Sequence, residues 1–321
     1  MNTNHPERPS APHAPPLSAL VVPSYSPSRP STLVTVLKWT KILTSMAIAL
    51  ALVVGLWGHS RWTRIVQGHF QALEASTLPA PARPERYHEA DLAALPPVVK
   101  RYFGAVLNPN QPVVRRLYME QTGTFNGSFQ KAQWEPFAAR QRVSTKRPGF
   151  VWDASIRMPP GISVRVVDAY VGGMGILQPS VFGLLDLGGS QGTPDIARGE
   201  LIRFFAEAVW YPTALLPSQG VQWVAVDDQT AQATLTEGPL SVTLTFHFDA
   251  QGLVQRISST ERSAMVDGVM VPMPWEVVVS RYETQSGMRV PHEAEVAWVS
   301  PAGRVPYWRG KIEKFDYELP R

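Results

Sequence analysis

The sequence predicts an α+β domain: a strongly curved antiparallel β-sheet, a half-barrel, holding a few helices in its concavity and preceded by one transmembrane helix. Three observations carry this. From Val113 onward apolar and polar residues alternate with a period of two, as in strands with one buried face. Short turn signals separate the runs, so sequence neighbours pair as antiparallel neighbours. Ahead of them, Ile42–Trp57 (ILTSMAIALALVVGLW) carries no charge.

That uncharged run rises about 24 Å as a helix, and about 31 Å if counted from Leu37, which matches a hydrocarbon core. Lys38 and Lys41 sit near its edge, where their ammonium groups can snorkel outward, and Trp39 and Trp57 bracket it as interfacial aromatics. Residues 37–58 are therefore expected to cross a bilayer once, and no small-residue cleavage site of a signal peptide follows. A slight basic excess before the helix (Arg29, Lys38, Lys41 against Arg61 and Arg64) places the N-terminus inside. The larger C-terminal part is then extracytoplasmic.

Residues 1–36 form a Pro/Ser-rich tail with too little apolar surface to offset its ordering entropy, and are expected to be disordered. Residues 59–87 read as a juxtamembrane helix followed by a Pro-rich linker, STLPAPARP, in which Pro79, Pro81 and Pro84 stop helices. Residues 88–321 are the antiparallel sheet domain. Its helices are expected over His88–Ala94, Val98–Val106 and Pro194–Trp210, the last with Thr193 as N-cap and Pro194 at the first helical position. Leu240, Val242, Leu244, Phe246 and Phe248 give the clearest strand, followed by the run from Phe150 to Met158. Asp227-Asp228, Gly238-Pro239, Asp267-Gly268 and Ser286-Gly287 mark turns. About eleven strands result, too many for a flat open sheet, and with so few helices to cover a face the sheet must curl around them.

Composition excludes several classes. The chain has 321 residues and no Cys, which removes disulfides, thiol nucleophiles and thiolate metal sites. The formal net charge is +4, of which +3 lies in residues 1–60, leaving a nearly neutral domain without an electrostatic footprint for nucleic acid. No nucleophile elbow, phosphate loop, dinucleotide fingerprint or HExxH helix occurs; His247 and His292 lack metal-ligand spacing, and no cofactor is implied.

The candidate site comes from the helix over 194–210. Leu201, Phe204, Phe205 and Ala208 form its apolar stripe, whereas Glu200, Arg203 and Glu207 lie on the opposite side. Asp168 adds a carboxylate on the face of its strand shared by Val164, Val166 and Tyr170, where a carboxylate must be paired or hydrogen-bonded. Trp152, Phe204, Phe205 and Trp210 are expected as cavity walls, with Tyr170 among the lining and Asp168, Glu200, Arg203 and Glu207 at the polar end. The reading is a non-enzymatic, membrane-anchored module binding a lipid or acylated ligand. A hydrolase using Asp168, Glu200 and Glu207 as acid and base, and a structural or assembly protein of the cell envelope, are the alternatives.

The segments LPPVVKRYF, WEPFAARQ, RPGFVWDASI, VVDAYVGGMG, ARGELIRFFAEAVWYPTALLP, QWVAVDD and GMRVPHEAEVAW resemble an uncharacterised bacterial family of single-pass membrane-anchored proteins over about residues 92–318. The family has no assigned activity and implies no catalytic residues. The predicted architecture is also similar to the lipoprotein-localisation (LolA/LolB-like) carrier fold, in which a half-barrel shelters acyl chains.

Overall fold

The computed structural model describes residues 1–2, 32–79, 85–128, 131–266 and 269–320. The expected disordered tail falls mainly on residues 3–31, the Pro-rich end of the linker on 80–84 and the Asp267-Gly268 turn on 267–268, all outside the described residues. The chain divides into two units, Met1–Leu52 and Val53–Arg321.

The second unit is built on two meanders. The first contains β1 (Arg116–Asn126), β2 (Trp134–Ser144), β3 (Gly149–Met158), β4 (Ile162–Val171) and β5 (Met174–Val181), with the short β6 (Leu185–Asp186) and β7 (Ser190–Gln191) both paired to β5. The second contains β8 (Gln222–Asp227), β9 (Thr230–Glu237), β10 (Leu240–Phe248), β11 (Val254–Ser259), β14 (Trp275–Gln285), β15 (Met288–Ser300) and β16 (Gly303–Glu318). A separate hairpin of β12 (Ser263–Val266) and β13 (Val269–Pro272) stands between β11 and β14. Pairing of β1 with β16, from Arg116 opposite Glu318 to Phe125 opposite Trp308, fuses the meanders into one antiparallel sheet of fourteen strands among the described residues. The three strands beyond the expected eleven are β5 and the two-residue β6 and β7. Gly172 and Gly173, both at positive φ, form the turn from β4 into β5.

Helix α3 (Pro194–Ala206) is the crossover between the meanders, and it lies inside the sheet. It touches β3, β4 and β5 on one wing and β10 and β12 on the other. Its start is fixed by Thr193, whose hydroxyl accepts from the Ile196 amide, and by Pro194 in the first turn. Gly175 on β5 lets it approach: a Cβ there would lie 2.5 Å from the Ile196 backbone. A 3-10 turn continues it over Glu207–Trp210. The sheet curls until the β9–β10 turn meets the far wing, where Glu237 accepts from Arg147 and from the Tyr170 hydroxyl, each at 3.0 Å. The helix α2 (Pro97–Val106) buries Val98, Val99, Tyr102, Phe103 and Val106 against β9 and β15 and plugs one end of the curl.

The outer face carries a further layer. The helix α1 (Thr32–Ser76) runs without a break through the boundary expected at residues 58–59. From Gly58 on it buries one stripe, Gly58, Trp62, Val66, Phe70 and Leu73, at the spacing of a single helix face. This stripe packs with Val151, Val167, Ala169, Val171 and Ile176 of β3, β4 and β5 as a second core. Trp62 Nε1 donates to the buried Asp153 at 2.8 Å, and Arg140 Nε pairs with the other Asp153 oxygen at 2.9 Å. The segment expected as a juxtamembrane helix is helical to Ser76 and packs on the sheet, because its apolar stripe has a sheet face to cover.

Candidate functional site

Between α3 and the inner face of the sheet lies a cavity of about 860 Å³, open at the end opposite α2. Alternation positions its walls. On β4, Val164, Val166 and Asp168 point inward, whereas Val167 and Ala169 face α1. On β14 and β15, Val277, Val279, Ala294 and Val296 form the opposite wall, with Trp275 directly across from Trp298. The lining is mostly aliphatic and aromatic, as in pockets for apolar ligands.

The charged side chains concentrate on α3. Arg203 donates through Nη1 to Asp168 at 2.5 Å and through Nε to Glu207 at 2.8 Å, bridging strand and helix. Its guanidinium also lies over the rings of Phe150 and Trp152, at 4.7 and 5.0 Å. A chain of amides continues from Glu207: Gln141 donates to it at 2.5 Å, Gln121 donates to Gln141 at 3.2 Å, and the Trp152 indole donates to Gln121 at 2.8 Å. On the other wall Arg262 approaches Glu200 at 3.6 Å and lies over the Trp275 ring at 4.7 Å. Four buried lining atoms, Asp168 Oδ1, Glu200 Oε2, Trp210 Nε1 and Arg262 Nη1, make no hydrogen bond among the described residues.

Burial, and then the neighbouring Asp168 carboxylate, push Glu200 well above the usual carboxyl range. Burial opposes charge on Arg203, but the carboxylates of Glu207, Asp168 and Glu200 outweigh it and hold the guanidinium more firmly protonated. With Glu200 neutral, Arg203 and Arg262 balance Asp168 and Glu207, so this end of the cavity carries polar groups but no net charge. The raised Glu200 has a thermodynamic signature. The folded state holds its proton more tightly than the unfolded chain, so its stabilising contribution is complete below the usual carboxyl range and is lost as pH rises toward the raised value. Relative to Glu200→Gln, the wild-type chain should lose up to about 1.4 kcal/mol of stability per pH unit across that window. Paired denaturant titrations from about pH 4.5 to 7 read this difference, and a flat one contradicts it.

Six of the eight residues proposed from the sequence, Trp152, Asp168, Glu200, Arg203, Glu207 and Trp210, line the cavity. Tyr170 and Phe204 do not. Tyr170 is fully buried with its hydroxyl on Glu237, and Phe204 packs on Tyr211, whose hydroxyl caps the Phe204 carbonyl at 2.6 Å. Phe205 likewise turns away, edge-on to Phe246. The geometry adds Arg262 and the wall of Trp275, Trp298 and Tyr307 to the lining, with Gln121 and Gln141 buried behind Glu207 and Trp152. The wall was legible as period-two alternation in the runs that carry Trp275 and Trp298; Arg262 closes a strand-like run in the sequence but lies in the loop after β11. Among the described residues no three metal-binding side chains stand together.

Residues 93–317 match a family described as of unknown function, DUF6920. The chain belongs to this family. The matched region runs from just before α2 to the end of β16, so every lining residue of the cavity falls within the DUF6920 portion, whereas the outer-face helix α1 precedes it. A search of curated proteins finds no match. Among solved structures this DUF6920 chain is similar to a LolA superfamily protein from Nitrosomonas europaea, at 11% identity and a TM-score of 0.31, covering 70% of this chain and 93% of that one. It is also similar to a DUF1329 family protein from Desulfovibrio piger, at 11% identity and a TM-score of 0.35, covering 65% and 88%. The strand order and the wrapping of α3 define the fold of this chain independently of those superpositions.

Proposed function

We propose that this chain is a membrane-tethered, non-enzymatic module that holds a lipid or other hydrophobic ligand in the cavity between α3 and the sheet. The carrying observation is the cavity itself: about 860 Å³, apolar over most of its lining, with Arg203 paired to both Asp168 and Glu207. Each methylene transferred from water to such a surface contributes about 0.8 kcal/mol, so an acyl chain gains affinity with length. The cluster of Arg203 and Arg262 with Asp168 and Glu207 offers hydrogen bonds to a neutral polar group. The helix α1 is long and apolar enough to cross a membrane and would keep the cavity at its surface, with the sheet domain extracytoplasmic. Acid–base hydrolysis gains less support, because Glu207 uses both carboxylate oxygens on Gln141 and Arg203.

The test is mass spectrometry of an organic extract of the purified full chain, beside Val166→Trp, which places an indole in the cavity. The expected result is near-stoichiometric lipid with the wild type and a severalfold loss in the variant. Equal lipid in both chains, or none in either, counts against the proposal.

A further inference from the structure

We infer that the open end of the cavity is seated on the bilayer, so that the ligand is a membrane-resident lipid that passes between leaflet and cavity without crossing water. The inference rests on the tethered reading above and adds to it an orientation and a docking surface.

The outer-face helix fixes the orientation. Gly58 of α1 lies against the β5–β6 turn, where a Cβ would meet Leu184 Cγ and the Phe182 carbonyl oxygen at 2.7 Å. Fifteen residues on, about 22 Å along the helix, Leu73 lies against Gly149 at the start of β3. The helix therefore enters at the end of the sheet bearing the β3–β4 and β5–β6 turns. Arg61 clamps it there, donating to the Gly183 carbonyl at 2.9 Å and pairing with Asp186 at 3.0 Å. Immediately before Gly58, Val53, Leu56 and Trp57 are exposed, and they are the last residues of the uncharged apolar run. Trp57 thus marks an interfacial level at the same end as the mouth.

The mouth has the surface such a position requires. Met158, Leu187 and Met265 line it while remaining 40%, 55% and 51% exposed. Leu185 and Phe182, in the turn clamped to α1, add apolar surface with no cover among the described residues. Arg64, Arg157 and Arg165 stand on the outer face near this rim and form no ion pair or hydrogen bond among the described residues, which suits anionic headgroups around an inserted apolar turn. The far end exposes Met174, Val224 and Val226, but none of them lines the cavity, and that end is plugged by α2, whose Arg101 donates to the Asp228 carbonyl in the β8–β9 turn.

The native absence of Cys makes the test direct. Single cysteines replace Leu185, Leu187 or, as the far-end control, the exposed Val226; each is labelled with an environment-sensitive fluorophore on the full chain in phosphatidylcholine–phosphatidylglycerol vesicles. Labels at Leu185 and Leu187 should emit at shorter wavelength and be quenched by lipid-borne nitroxide at least threefold more strongly than at Val226, with aqueous iodide giving the reverse order. Rim labels that behave like Val226 in protein resisting alkaline extraction overturn the inference and leave the tethered module standing. Protein released by alkali overturns both. Leu185→Asp combined with Phe182→Asp, both outside the cavity lining, should slow uptake of fluorescent phospholipid from vesicles at least tenfold while leaving uptake from detergent micelles unchanged; equal slowing, or none, overturns the proposed route.

Discussion

Arg203→Met is expected to destabilise the folded unit by about 3–5 kcal/mol, because it removes one partner from a buried ionic cluster and leaves two carboxylates uncompensated. Asp168 and Glu207 both lose their charged partner, and the chain of amides through Gln141 and Gln121 to Trp152 loses its anchor on α3. The methionine also gives up the guanidinium stacking over Phe150 and Trp152. Urea unfolding of the full chain in detergent, followed by Trp fluorescence, reads the change. A double variant, Arg203→Met with Asp168→Asn, should recover part of the loss by removing one orphaned charge. A single variant within about 0.5 kcal/mol of wild type would mean that the cluster is hydrated in solution and does not tie α3 to the sheet.

Trp62→Ala carries an effect of similar size from the opposite face. Trp62 is 2% exposed, fills the outer layer with Val66 and Phe70, and donates to Asp153. Truncating a buried aromatic costs about 3–5 kcal/mol, and Asp153 would keep only Arg140 as a partner. For a domain of this size each kcal/mol lowers Tm by about 2–4 °C, so the variant should melt markedly earlier. A chain beginning after α1 should fare worse, since Val151, Val167 and Ala169 would then face water. An unchanged melting temperature would show that α1 is a passive tether after Gly58.

Local signals were legible in the sequence and long-range ones were not. Thr193 and Pro194 marked the start of α3, and alternation placed Asp168 on the inner face beside Val166. These follow from cap chemistry and side-chain period, which act within a few residues. The pairing of β1 with β16 joins residues some two hundred positions apart and leaves no local trace. The same holds for the Trp62–Asp153 contact: the stripe on α1 was present, but its partner face lay on strands whose other side was already assigned to the cavity. Tyr170 and Phe204 were expected in the lining on face alone. Tyr170 lies so far along β4 that it meets the β9–β10 turn, and Phe204 follows the apolar stripe of α3 into the core.

Binding of a fluorescent fatty acid to the delipidated full chain, compared with Val166→Trp, tests the cavity most directly. Saturation near one probe per chain for wild type, with at least a tenfold weaker affinity in the variant, is the expected result. Unsaturable binding, or equal affinity in both chains, would place the apolar ligand somewhere other than between α3 and the sheet.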